Sequence, residues 1–240
     1  MWLPFRFRHR RRSSRLRRRL VWALRLGLLL IALDVLYLIQ IWPDWQAFTP
    51  DRMGKSNFMQ DYERRRLQDK TLPPLRWKPV PLNWIPKTVQ RAVIVAEDAR
   101  FYEHHGFDVI AFQEAMRYNL ENRRLRYGAS TLSQQTVKNL YFSSSRNPLR
   151  KWHELVVTLG MEFNLSKDRI LNTYLNIAEF GKGVYGVQAA AQYYWGLGVY
   201  SLNRWQAAQL AATLPSPIKH NPRTRTSSFL RRARRIYRRM

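Results

Sequence analysis

The feature that most constrains this chain is a long apolar segment near its N-terminus, residues 20–42, with the sequence LVWALRLGLLLIALDVLYLIQIW. As a helix rising about 1.5 Å per residue it would be roughly 34 Å long, enough to cross the hydrocarbon core of a bilayer. Arg25 lies near one end, where it can snorkel, whereas Asp34 lies in the middle, where an acid costs roughly 2.5 to 3.5 kcal/mol. The segment predicts one transmembrane helix; the alternative is a buried helix of a soluble core.

The distribution of charge predicts how this helix is oriented. The chain has a formal net charge of +26. Nine arginines and no acidic residue precede the apolar segment. By the positive-inside rule, residues 1–19 form a basic cytoplasmic tail that faces anionic lipid, and everything after residue 42 lies outside. We therefore expect a single-pass membrane protein whose main domain lies outside the cytoplasm. That location argues against nucleic acid as a partner.

Proline content divides the rest of the chain. Residues 43–86 contain seven prolines and are expected to form an extracytoplasmic spacer, whereas residues 87–222 show helical periodicity without a useful alternating strand pattern. The periodicity predicts an all-α domain. Residues 223–240 are expected to form a basic C-terminal helix, with an apolar stripe on one side and arginines opposite, suited to anionic lipid. Because cysteine is absent, disulfides, thiolate nucleophiles and Cys-ligated metals are excluded.

Two adjacent carboxylates, Glu97 and Asp98, end an apolar helical run. Desolvation by the preceding valines and isoleucine, together with like-charge repulsion, would raise the pKa of Glu97. A carboxylate adjusted in this way can act as a general base. The alternative is a solvated helix end without a catalytic role. His104 and His105 follow, but adjacent side chains point apart, so hydrogen-bonding or core histidines are favoured over a metal site.

Residues 128–139, GASTLSQQTVKN, have the pattern of a helix N-terminus. Gln134 follows Thr131 by three residues, which predicts a capping box. Gln134 with Lys138, and Gln135 with Asn139, are spaced four apart and would form one face of hydrogen-bond donors beside a possible anion site. An ordinary solvated helix face is the alternative.

A third helix is predicted over residues 148–165 and is apolar on nearly all sides, so that Glu154 would be an acid on a buried element. The alternative to a catalytic role is an ion pair with Arg150 or Lys151, and the two can coexist. An H-E-x-x-H zinc motif beginning at His153 fails because residue 157 is valine.

Taken in order, these stretches closely resemble the motifs of family 51 glycosyltransferases, the peptidoglycan glycan-chain polymerases. The matching stretches are EDARFYEHHGFD (residues 97–108), GASTLSQQTVKN (128–139), RKWHE (150–154), SKDRILNTYLN (166–176) and a glycine-punctuated stretch from 183 to 217. The resemblance covers roughly residues 88–222. One departure is Ala129, where a second glycine is common. The resemblance implies a lysozyme-like, two-lobed helical fold and, because no K-T-G motif follows, an enzyme without a transpeptidase domain.

The resemblance also implies a reaction and its residues. A lipid-pyrophosphate-linked glycan would be transferred, with inversion, to the GlcNAc 4-hydroxyl of lipid II. Glu97 would be the base and Glu154 the second essential carboxylate, while Lys138 and Arg146 would neutralise the leaving pyrophosphate. The remaining residues expected to bind substrate are Ser130, Thr131, Gln134, Gln135, Asn139, Asp98, Phe101 and His104.

No cofactor or metal ligand cluster is demanded by the sequence, although a divalent metal could assist at the pyrophosphate. Expected partners are lipid II, the lipid-linked glycan strand and membrane lipids, with other cell wall synthesis proteins as further candidates. Two other functions stay open. A lysozyme-like lytic hydrolase would also use paired carboxylates in a helical cleft. A non-enzymatic basic membrane scaffold would explain the two arginine-rich ends but not the carboxylates.

Overall fold

The computed structural model describes residues 10–45, 53–122, 130–143, 145 and 147–240, the first five of these by their backbone alone. The chain divides into two compact units, Met1–Pro43 and Asp44–Met240. The first unit contains one long helix, α1 (Arg10–Ile41), which ends one residue before the boundary expected from the sequence. Within it, Arg15–Ile41 is long and apolar enough to cross a membrane, and the residues of its most apolar stretch are not buried.

The second unit is built from helices, which confirms the all-α prediction. Its helices are α2 (Asn57–Gln68), α3 (Lys87–Glu97), α4 (Val109–Glu121), α5 (Leu132–Tyr141), α6 (Pro148–Asn164), α7 (Lys167–Ile177), α8 (Val187–Trp195), α9 (Arg204–Thr213) and α10 (Ser227–Arg239). Two short 3₁₀ turns, Leu82–Trp84 and Val199–Ser201, lie between them. The strands are β1 (Arg76–Trp77), β2 (Glu179–Gly181) and β3 (Val184–Tyr185), with β3 in the centre, parallel to β1 and antiparallel to β2.

The small sheet changes the interpretation of the segment expected to be a spacer. Its strand β1 pairs with β3, and its helix α2 buries Met59 and Tyr62 against Ile177 and Tyr185. Met59 and Tyr62 are three residues apart, so they lie on one side of α2 and form an apolar face that the proline content concealed. From Lys55 to Pro86 this part of the chain is integral to the domain. The turn into β3 is close to α2, since a Cβ on Gly183 (φ +72°) would lie 2.5 Å from the Tyr62 hydroxyl.

Helix α5 lies in the interior of the unit, where it packs against both α6 and α7. Its N-terminus is fixed by the predicted capping box, which the structure confirms: Gln134 N–H donates to Thr131 Oγ1, and Thr131 N–H donates to Gln134 Oε1. The Thr131 hydroxyl also donates to the Gly106 carbonyl at 2.7 Å. The first turn of α5 is therefore held firmly against the turn that follows α3.

Helix α10 packs against α9 and α3. Its apolar stripe is buried through Phe229, Ala233 and Ile236, which are spaced three or four residues apart. The stripe is thus part of the domain core instead of an exposed lipid-facing surface, and arginines cover the outer side of the helix. Through this packing α10 approaches the C-terminal end of α3, where the two adjacent carboxylates lie.

Candidate active site

Glu97 is the last residue of α3, and its side chain is only 11% exposed. Both carboxylate oxygens have partners: Gln135 Nε2 on α5 donates to Oε2 at 3.1 Å, and an Arg232 terminal nitrogen on α10 donates to Oε1 at 2.8 Å. Glu97 is therefore an anchored carboxylate at the meeting point of three helices, which excludes a freely solvated helix end.

Gln135 is itself oriented from behind. The hydroxyl of Tyr174, a buried residue of α7, donates to Gln135 Oε1 at 3.0 Å. Since that bond occupies the amide oxygen, the amide nitrogen is directed towards Glu97. Two hydrogen bonds in series, a relay from Tyr174 through Gln135, thus hold the Glu97 carboxylate from the side of α7.

Burial raises the pKa of Glu97 above its ordinary value. The positive charge of Arg232 and the hydrogen bond from Gln135 act in the opposite direction, while the charge of Asp98 adds to the rise. The predicted direction of the shift is therefore confirmed, with burial as its main cause. A carboxylate with a raised pKa accepts a proton more readily when it is ionised, which suits a general base.

A second carboxylate, Glu154, lies on the interior side of α6 with 2% of its side chain exposed. It receives ion pairs from Arg150 at 2.6 Å and from Lys151 at 2.5 Å, so both of the pairings weighed from the sequence are present. Lys138 of α5 is also close enough for the Glu154 charge to raise its pKa, although burial is larger and lowers the pKa of Lys138 overall. These residues form a cationic cluster around one buried acid.

The two carboxylates are connected along α5. Gln135, which contacts Glu97, and Lys138, which interacts with Glu154, are three residues apart and therefore project from the same side of the helix. The arrangement places an anchored carboxylate at one end of a helical face and a cation-rich region one turn further along. Such a surface can remove a proton at one point and stabilise negative charge at another.

Asp98 and His104 form a separate buried pair. His104 Nε2 lies 3.0 Å from Asp98 Oδ1, and the Gly106 N–H donates to His104 Nδ1 at 3.2 Å, so Nε2 is the nitrogen that carries the proton. Asp98 Oδ2 also accepts from the Leu132 N–H at 2.9 Å. The pair is thus buried and positions the start of α5, and its expected role in binding substrate stays a prediction.

Asp98, His104 and Asp108 have ligand atoms within 4.8 Å of one another, close enough to consider a cation. Each of them is already engaged, however: Asp108 pairs with Arg100 at 2.7 Å and caps α4 through the Ala111 N–H. Burial alone would raise the pKa of Asp108, but its hydrogen bonds from Arg100 and Ala111 lower it overall. We regard this group as a structural network between α3, α4 and α5.

The other residues expected to bind substrate fall into two groups. Phe101 is fully buried, with Lys167 Nζ 4.6 Å from its ring centre, and Thr131 and Gln134 are buried in the α5 cap. Ser130 is exposed and accepts a hydrogen bond from Lys151 at 3.3 Å, and Asn139 is half-buried on α5. Arg146 lies outside the described residues.

Arg232 is the site residue that sequence reasoning missed. It follows Phe229 by three residues and precedes Ile236 by four, so it lies at the edge of the apolar stripe instead of opposite it. That position was a usable signal, but its partner Glu97 is 135 residues away in sequence. Only the packing of α10 on α3 shows that the two side chains meet.

Comparison with known proteins places these features in a family. A family model described as Transglycosylase matches residues 68–240. A biosynthetic peptidoglycan transglycosylase of Nitrosospira multiformis is 40% identical over 222 residues, covering 91% of this chain and 95% of that protein. Proteins of the same name from Janthinobacterium sp. and Aeromonas hydrophila are 37% identical over 226 residues (94% of this chain, 96% of the relative) and 48% identical over 160 residues (65% and 68%).

Proposed function

The chain belongs to the transglycosylase family, and from that premise we propose that it polymerises the glycan strands of peptidoglycan. The donor would be a glycan linked to a lipid pyrophosphate, and the acceptor the GlcNAc 4-hydroxyl of lipid II. The observation that carries the proposal is the shared face of α5, which connects Glu97, through Gln135, to the cations around Glu154.

In the proposed reaction Glu97 is the general base. Its carboxylate takes the proton of the acceptor hydroxyl while that oxygen attacks C1 of the donor sugar from the side opposite the leaving group. The bond between C1 and the pyrophosphate oxygen breaks, and its electron pair leaves with the lipid pyrophosphate. An α-linked donor thereby becomes a β-1,4 bond in a single displacement.

The leaving group sets the second requirement. Pyrophosphate gains negative charge as the bond breaks, and preorganised cations stabilise that charge without the cost of rearranging solvent. Lys138 is the candidate for this contact, and Arg146 is a second candidate by family resemblance. Glu154 would act by holding Arg150 and Lys151 in place, since it forms ion pairs with both.

A lytic hydrolase and a non-enzymatic scaffold are less favoured. Finished glycosidic bonds release an uncharged sugar hydroxyl, so a hydrolase has no evident use for a group of cations one helical turn from its base. A scaffold would need neither the buried Glu97 nor the relay from Tyr174 that orients Gln135. The names of the relatives likewise refer to transfer.

We further propose that α1 anchors the enzyme in the cell inner membrane, with the N-terminus in the cytoplasm and the catalytic unit in the periplasm. The apolar length of α1 and the arginine excess before it support this orientation. An anchored domain stays beside the bilayer in which a lipid-linked donor and acceptor both reside.

The deciding experiment offers the purified protein lipid II in one tube and finished peptidoglycan in another. Long glycan strands from lipid II, absent with Glu97→Gln, are the expected result. Release of muropeptides from finished peptidoglycan without strand synthesis would identify a lytic enzyme, and inactivity in both tubes would favour the scaffold.

A further inference from the structure

We propose that Arg232 is a positioning residue for the base: it holds the Glu97 carboxylate in place and in its ionised form between turnovers. The inference rests on the proposed function, because it concerns the base of that reaction. It adds a residue of the C-terminal helix α10 to a site otherwise built from α3, α5, α6 and α7.

The geometry of the contact supports a positioning role. One terminal nitrogen of Arg232 donates both to the Ala96 carbonyl at 3.1 Å and to Glu97 Oε1 at 2.8 Å. The Ala96 carbonyl is fixed by the backbone at the end of α3, so it serves as a reference point for the guanidinium. With Gln135 on Oε2, the carboxylate is held from two helices at once, and each oxygen retains a lone pair for an acceptor hydroxyl.

One donor of the Arg232 guanidinium is left without a hydrogen-bond partner by this geometry. Arg232 Nε is buried and has no hydrogen-bond partner among the described residues. A buried donor without a partner is unfavourable, because it has given up its hydrogen bond to water. A surface arginine could avoid this cost by turning outward, yet the buried neighbours Phe229 and Ala233 keep this part of α10 against α3. The orientation is therefore imposed by packing and serves the terminal nitrogen that contacts Glu97.

The charges around Glu97 define what Arg232 contributes. Asp98, at the end of the same helix, raises the pKa of Glu97, and Tyr174 on α7 faces it as a neutral phenol whose own pKa is raised by burial and by Glu97. Gln135 on α5 is uncharged, and on α10 Arg232 lowers the pKa of Glu97. Among the described residues that act on Glu97, Arg232 is the cation that opposes burial. Its removal should raise the pKa of Glu97, so that at a given pH a larger fraction of this carboxyl is protonated and inactive as the proposed base.

The test compares three variants of the full chain acting on lipid II in detergent. Arg232→Met removes the charge but keeps an aliphatic side chain, Arg232→Lys keeps a cation, and Arg235→Met removes an exposed arginine from the outer side of the same helix. The measurements are kcat and KM across pH, with the melting temperature of each variant.

We expect Arg232→Met to move the acid limb of kcat/KM upward by about one pH unit and to lower kcat more than it raises KM. Arg232→Lys should recover part of that shift, and Arg235→Met should leave the acid limb where it is.

An unchanged acid limb in Arg232→Met would overturn the inference, whether or not its melting temperature falls, because a purely structural arginine would alter stability alone. If Arg232→Met does not fold, the decision rests on Arg232→Lys, whose acid limb should lie above that of the wild type; an identical limb overturns the inference. Failure of the proposed function looks different. In that case the wild-type protein forms no strands, or Glu97→Gln retains the wild-type rate, whatever happens at Arg232.

Discussion

The Gln135 side chain donates a hydrogen bond from Nε2 to Oε2 of Glu97 across 3.1 Å. Gln135 thereby ties the anchored carboxylate at the end of α3 to the helix that also carries Lys138. The proposed proton acceptor and the proposed cation for the leaving group are thus positioned by one helix, which favours reproducible geometry at both ends of a transfer reaction.

Replacing Glu97 by glutamine should abolish most turnover while preserving the fold. The amide keeps the size of the side chain but cannot accept a proton, so strand synthesis from lipid II should fall by about 10²-fold or more. Single-turnover rates with the purified variant, together with its melting temperature, measure both properties. Activity within a few-fold of the wild type would return Glu97 to a structural role.

The wild-type enzyme should lose activity on acidification earlier than an ordinary glutamate would require. Burial raises the pKa of Glu97, and the base works only when ionised, so kcat/KM should decline as pH falls through that raised pKa. The midpoint should lie above the usual glutamate value of about 4.3. A pH series on lipid II measures it, and full activity at about pH 4.5 would contradict the assignment.

Lys138→Ala should weaken use of the pyrophosphate-linked donor. Loss of one charge-assisted contact to the leaving group corresponds to about 1.5 to 3 kcal/mol, or roughly 10- to 100-fold in kcat/KM. Lys182→Ala is the matched control, because Lys182 is exposed and lies in the turn between β2 and β3. Equal effects of the two substitutions would show that general positive charge, not the position of Lys138, matters.

The adjacent residues Gln134 and Gln135 should respond differently to alanine. Gln134→Ala removes half of the α5 capping box and should cost about 1 kcal/mol of stability, with little effect on KM. Gln135→Ala frees Glu97 Oε2 and should lower kcat while changing the melting temperature less. Denaturation curves and steady-state kinetics on both variants separate the roles; a large KM increase in Gln134→Ala would restore it as a substrate-binding residue.

A reporter fused at the N-terminus should be cytoplasmic, and one fused after Met240 should be extracytoplasmic. The reason is the arginine excess before α1, which favours retention of that flank in the cytoplasm. Paired phosphatase and fluorescent-protein fusions report the two sides. A cytoplasmic signal from the second fusion would contradict the single-pass orientation.

Local patterns in the sequence predicted the parts of the site that are local in the chain. The capping box at Thr131, the buried acid at position 154 and its two basic partners all depend on spacings of three or four residues, which a helix converts directly into contacts. The helical class followed from the same periodicity. These features required no knowledge of how distant segments meet.

The features that the sequence did not reveal have the opposite origin. The family resemblance assigns Phe101 and His104 to substrate binding, which stays a prediction, but their partners in the core could not be inferred from spacing. Proline density in residues 43–86 indicated a spacer, and it concealed the two apolar residues, Met59 and Tyr62, that dock α2. In both cases burial is decided by packing between segments far apart in sequence, for which a local pattern contains no information.

The pairing of Glu97 with Arg232 has a consequence for the order in which the protein matures. The partners are 135 residues apart, and a chain emerging from the ribosome forms its N-terminal contacts first. The helices that enclose Glu97 from the α5 and α7 sides can therefore assemble while α10 is still undocked, leaving a partly enclosed carboxylate without its cation. In such an intermediate the pKa of Glu97 would be higher than in the folded enzyme, so that the proposed base would be ionised to a smaller extent at a given pH. Docking of the last helix would then complete the site.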